Sequence, residues 1–148
     1  MTLINHAILA MFSFLIIGNV NAQDMSSSQL SKQWTLLKEE GDIQLYVRKD
    51  ECKMGSLEKP FSYTFIKIVN NGTTDHTVNF DLAVHFENEC IGCISNPETT
   101  KHIKISANSS LETDCSFENG ALAVLIQNPN FGDKRIFTGL ELKNFKLN

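Results

Sequence analysis

Cys90-Ile91-Gly92-Cys93 is the stretch of this chain whose residue types and spacing come nearest to chemistry. A C-x-x-C pair lets one thiolate resolve a mixed disulfide formed by the other. Redox enzymes set such a pair at a helix N-terminus, where the helix dipole stabilises the thiolate. Here the pair follows an alternating stretch and leads into Ser95-Asn96-Pro97, with no helical pattern behind it and no βαβ unit. The context therefore argues against a thiol–disulfide oxidoreductase, which stays as an alternative. The same two sulfurs have zinc-ligand spacing, and Cys52, Cys115, His85 and His102 are the residues that would complete a tetrahedron. The second half of a paired zinc motif is missing, because Cys52 and Cys115 each stand alone.

The remaining candidates read as surface. His85 lies on the polar parity of its strand, His76 beside an Asn-Gly turn and His102 beside a lysine. No Ser/His/Asp set can be assembled from the spacing. Glu112 and Asp114 share a loop, and Asp81 and Glu87 share a solvent-facing parity. Neither pair has the spacing of a calcium loop or of a glycosidase carboxylate pair. No catalytic residue and no cofactor is expected. Asn71-Gly72-Thr73 and Asn108-Ser109-Ser110 are glycosylation sequons in loops, of consequence only in a eukaryotic source.

Export decides how the cysteines are read. Residues 7–20 are apolar except for Ser13, Gly18 and Asn19, and Val20-Asn21-Ala22 fits a small-residue cleavage site. Residues 1–22 are therefore expected to be a signal peptide, although its start carries no Lys or Arg. The apolar run is short for a membrane span of roughly 20 residues, and no second hydrophobic segment follows. The expected mature chain is secreted or periplasmic, with no membrane span. An even count of four cysteines in an oxidising compartment means disulfides, each worth roughly 2–4 kcal/mol. If successive strands alternate in direction, Cys52, Cys90 and Cys93 fall at one end of the fold. That favours Cys52 bonding to Cys90 or Cys93, with Cys115 reaching the remaining cysteine. A local Cys90–Cys93 ring with Cys52–Cys115 stays open.

A formal net charge of -4, from 13 Lys+Arg against 17 Asp+Glu, leaves no electrostatic footprint for nucleic acid. The balance of 42% hydrophobic and 20% charged residues is that of a folded domain.

The elements that position these residues are strands. Val78, Phe80, Leu82, Val84 and Phe86 alternate with Asn79, Asp81, Ala83, His85 and Glu87, which predicts a strand with one buried face. Residues 43–48 and 122–126 alternate as well. Residues 61–69 carry apolar side chains on both parities, which predicts a central strand covered on both sides. The Asn70-Asn71-Gly72 turn is expected to join that strand to 78–86 as an antiparallel hairpin. Ile103 and Ile105 mark a short strand, and 107–119 reads as a polar loop. Residues 136–147 close the domain, with a bulge between Leu142 and Phe145. Residues 23–33 are Ser-rich and expected to be a flexible leader. With about seven short strands and no amphipathic helix, 34–148 should be a single immunoglobulin-like β-sandwich.

Trp34, Tyr46-Val47-Arg48 followed by Glu51-Cys52, Phe65-Ile66-Lys67-Ile68 running into Asn70, the alternating strand ending at Cys90-Ile91-Gly92-Cys93, and Cys115 ahead of Leu122 together give a pattern. It resembles a loose group of small exported β-sandwich-like proteins of Bacteroidota-type bacteria, over most of the mature chain. The resemblance implies export, a bacterial source and a β-sandwich, and supplies no activity. The expectation is a disulfide-stapled binding or structural protein, not an enzyme, with a protein or glycan partner.

Overall fold

Residues 76–86 form the strand on which one sheet is built, and residues 61–70 form its counterpart in the other. The computed structural model describes residues 24–94 and 100–148; the expected signal peptide 1–22 and the turn at 95–98 lie outside them. Among the described residues ten strands follow in order: β1 (Asp24–Ser26), β2 (Thr35–Glu40), β3 (Ile43–Cys52), β4 (Phe61–Asn70), β5 (His76–Phe86), β6 (Cys90–Ile91), β7 (Thr100–Ile105), β8 (Ser109–Glu112), β9 (Ala123–Gln127) and β10 (Phe137–Leu147). The strands beyond the expected seven or so are mostly too short to show periodicity. β1 has 3 residues, β6 has 2, and β8 holds one apolar residue in 4.

The fold is an all-β sandwich of two antiparallel sheets. One runs β1-β10-β5, with β6 and β7 in line along the next edge of β5. The other runs β2-β3-β4, with β8 and β9 in line along the next edge of β4. Cys93 follows directly on β6, and Cys115 lies between β8 and β9.

The core lies between the sheets. Val78, Phe80, Leu82, Val84 and Phe86 of β5 are buried in one cluster with Ile43, Leu45 and Val47 of β3, Ile66 and Ile68 of β4, and Leu140 and Leu142 of β10. Period-two geometry sends the intervening side chains to the outer faces. β10 carries the expected bulge: its register against β5 shifts between Lys143 and Lys146, and Asn144 there has a left-handed φ of 52°.

Two expectations change. β4 and β5 do not form a hairpin; they belong to different sheets, and residues 71–75 carry the chain across the sandwich. The crossing lets the apolar face of β4 meet that of β5 across the core instead of lying beside it. Asn70 organises the corner. Its side-chain amide donates to the carbonyls of Thr74 (2.8 Å) and Ser106 (3.1 Å), and its oxygen accepts from the Gly72 N–H (2.9 Å). The leader is also ordered in part. β1 pairs with β10, and Met25 and Leu30 are buried in the core, so the serines hid two apolar anchors.

Candidate functional site

The four cysteines form Cys52–Cys115 and Cys90–Cys93. The favoured pairing of Cys52 with Cys90 or Cys93 is thereby corrected, and parity explains why. Cys52 shares the parity of Gln44, Tyr46 and Arg48, whereas Ile43, Leu45 and Val47 enter the core. Its side chain therefore points away from the sheet that holds Cys90 and Cys93. Cys115 reaches it because 107–119 is not wholly a loop. β8 pairs with β4 from Asn70 back to Lys67 and carries the chain toward the Cys52 end.

That excursion covers the outer face of the β2–β3–β4 sheet. Phe117 stands edge-on to Tyr63 at 4.9 Å and to Phe65 at 6.1 Å between ring centroids. Phe65 is 0% exposed although it lies outside the main core cluster. Asp114, in the same excursion, accepts from the Ser116 N–H at 2.7 Å, and Ser116 holds its carboxyl below the usual range. Further along this face Arg48 lies over the Trp34 ring, 4.7 Å from its centroid, and 5.7 Å from that of Phe65. Such stacking orients the indole through cation–π attraction.

Beyond Arg48 the face is open. Trp34, Gln44, Tyr46, Lys67 and Val69 line a groove of about 200 Å³. Its polar groups are ordered: the Tyr46 hydroxyl donates to Gln44 Oε1 at 2.9 Å, Asn71 Nδ2 donates to the same oxygen at 3.2 Å, and Lys67 pairs with Glu112 at 2.9 Å. Leu36, 40% exposed, is the register partner of Tyr46. A larger hollow of about 340 Å³ shares Val69 but is otherwise walled by Asn70, Asn71, Asn108, Ser109 and Ser110, without an aromatic ring. The two sequons meet there. The groove was not legible in the sequence, because Trp34 precedes β2 and joins Tyr46 and Lys67 only through strand pairing.

The second cystine lies on the outer face of the other sheet. The β5–β6 ladder sets Cys90 beside His85. Gly92 then turns back with φ of 79°, so close to β5 that a Cβ would stand 2.9 Å from the Leu82 carbonyl oxygen. Only glycine meets both demands. Lys143 Nζ donates to the Cys93 carbonyl. One ligand atom each from His85, Cys90 and Cys93 lies within 4.8 Å of the others. Glu141 Oε2 lies 3.2 Å from His85 Nε2. The other expected zinc ligands are elsewhere: Cys52 and Cys115 on the opposite outer face, and His102 with its Nδ1 2.5 Å from Asn79 Oδ1. His76 Nε2 is 3.3 Å from Thr74 Oγ1.

Asp81, expected on the solvent face, is 1% exposed. The Thr100 hydroxyl donates to it at 2.6 Å and the Asn144 amide at 2.7 Å. The β10 bulge at Asn144 is what brings that amide across.

No helix among the described residues is long and apolar enough to cross a membrane. No family model matches the chain, and no curated protein matches it. Among solved structures, the Salmonella enterica trimeric lipoprotein SadB is similar with a TM-score of 0.43 and 10% sequence identity, over 86% of this chain and 64% of that one. The chain thus spans less than two thirds of that protein.

Proposed function

We propose that this chain is an exported, non-enzymatic recognition module that binds a saccharide in the Trp34 groove. The observation that carries the reading is the groove itself: an aromatic wall of Trp34 and Tyr46 beside the Gln44 amide and the Lys67 ammonium, which lies 5.9 Å from the Trp34 ring centroid. A sugar ring presents an apolar C–H face that buries against an indole and hydroxyls that bond to an amide and an ammonium. Arg48 against Trp34, and Tyr46 and Asn71 on Gln44, hold these groups in place before a ligand arrives, which lowers the ordering cost of binding. Two cystines suit an oxidising compartment outside the cytoplasm.

A thiol–disulfide oxidoreductase is the second reading, favoured by His85 beside Cys90 and Cys93. Against it stands the β-hairpin context, which lacks the helix dipole that stabilises a thiolate. Reduction of insulin that is lost in Cys93→Ser would replace the recognition module with this reading.

Trp34 is the chain's single tryptophan, so emission excited selectively in the indole reports on the groove alone. A panel of neutral and N-acetylated oligosaccharides should include at least one that shifts this emission saturably, and Gln44→Ala and Lys67→Ala should weaken that binding. Saccharide binding is contradicted if no member of the panel changes the emission, or if both variants bind as the natural chain does.

A further inference from the structure

We propose that the reduced form of Cys90 and Cys93 holds a zinc ion together with His85, making the outer face of the β5–β10 sheet a redox-gated metal site. The site is separate from the recognition groove and does not depend on it.

The ligands are gathered by backbone, not by the disulfide. Cys90 is fixed beside His85 by the β5–β6 ladder. Gly92 folds the turn onto β5, and Lys143 secures the Cys93 carbonyl. Opening the sulfur–sulfur bond leaves all three constraints in place. In a tetrahedral zinc site with Zn–S near 2.3 Å and Zn–N near 2.0 Å, ligand atoms stand roughly 3.5–3.8 Å apart. The three ligand atoms already lie within 4.8 Å of one another, and the Cys90 and Cys93 Cα atoms are 5.7 Å apart. Small adjustments suffice to embrace an ion: the sulfurs separate from each other, and the His85 ring closes by up to about 1 Å. Glu141, 3.2 Å from His85 Nε2, is the carboxylate that commonly orients a metal-bound imidazole. Three protein ligands leave a fourth position for water.

The chemistry balances with a dithiol reductant. The reductant gives two electrons and two protons to the Cys90–Cys93 bond, yielding two thiols and its own disulfide. Zinc then displaces both thiol protons and is held by two thiolates and one imidazole. A disulfide oxidant then accepts two electrons from the two thiolates and becomes a dithiol by taking up two protons; the Cys90–Cys93 bond re-forms and the ion is released.

The test uses Co2+ as a spectroscopic probe on the full chain, oxidised and fully reduced, without oxygen. The reduced chain should take up one equivalent with a thiolate-to-cobalt charge-transfer band that Zn2+ abolishes. The oxidised chain should show none. Cys93→Ala should lose the band. Cys115→Ala should keep it, because its pair lies on the other face. His85→Ala should weaken binding by more than the roughly 10-fold minimum that loss of an orienting partner costs. The proposal is overturned by an absent band in the reduced chain, by equal binding in Cys93→Ala or His85→Ala, or by loss of β-sheet circular dichroism in oxidised Cys90→Ser/Cys93→Ser, where this bridge alone is removed, since the ladder gathers the ligands.

Discussion

Phe117 meets Phe65 edge-on across the outer face of the β2–β3–β4 sheet, with ring centroids 6.1 Å apart and planes at 62°. Phe117 sits there with φ of 57°, a left-handed conformation that a bulky side chain rarely adopts. Cys115, two positions earlier, is bonded to Cys52. The cystine and the aromatic contact together hold a polar excursion onto the sheet and seal Phe65, giving the sandwich a second, smaller apolar layer.

The two cystines should therefore differ in what they contribute. Cys52–Cys115 spans 63 residues and Cys90–Cys93 only 3. Chain-entropy arguments assign about 4 kcal/mol to the first and under about 2 kcal/mol to the second. Urea denaturation of Cys52→Ser/Cys115→Ser should show the larger loss, and Cys90→Ser/Cys93→Ser the smaller. The reverse order would mean that the excursion over Phe65 contributes little.

The β5 register makes a second prediction. Phe80 is fully buried between the sheets, so Phe80→Ala should cost on the order of 3–5 kcal/mol. His85 lies on the opposite face in a part-exposed contact with Glu141, so His85→Ala should cost under about 1 kcal/mol. Equilibrium denaturation of both variants checks the strand's facing, because a slip of one residue would exchange the two costs.

Acid should weaken the start of β10. Arg135 donates to Asp133 from Nε at 2.8 Å and from Nη2 at 2.7 Å, and the Arg135 and Asn128 backbone N–H groups add two further bonds. These bonds, the Arg135 side chain's first, hold the Asp133 carboxyl well below the usual carboxylate range. A pKa lower in the folded than in the unfolded chain adds stability that is fully present above the unfolded value of about 3.9. It is lost as pH falls from there through the folded value. Asp133→Asn should be less stable than the natural chain at pH 7, and the gap should close as the pH is lowered through about 4 and below. A gap that stays constant from neutral to strongly acid pH would show that the charge is not what Arg135 recognises.

Much of this architecture was legible from alternation alone. The buried face of β5, the two-sided burial of β4 and the bulge in β10 are all written in apolar periodicity. What was not legible depends on partners distant in sequence. Ser109-Ser110-Leu111-Glu112 becomes a strand only because β4 offers it an edge. The Asn-Gly turn fits a hairpin locally, yet the demand to bury both apolar faces against each other sends β4 and β5 to different sheets. Asp81 looks solvated until Asn144 and Thr100 arrive. The Cys52 pairing failed at the same level: strand direction placed three cysteines at one end, whereas side-chain parity placed Cys52 on the far face. The Trp34 groove and the His85–Cys90–Cys93 cluster likewise need the ladders β2–β3–β4 and β5–β6 before their members meet.

The proposed recognition face and the proposed metal site both rest on the two cystines as paired here. The most direct test is a peptide map, without reduction, of the chain isolated from its native source, with free thiols blocked at lysis. One fragment should link Cys52 to Cys115, and another should hold Cys90 and Cys93 within a single closed turn. A fragment linking Cys52 to Cys90 or Cys93, or four freely alkylated thiols, would contradict the account.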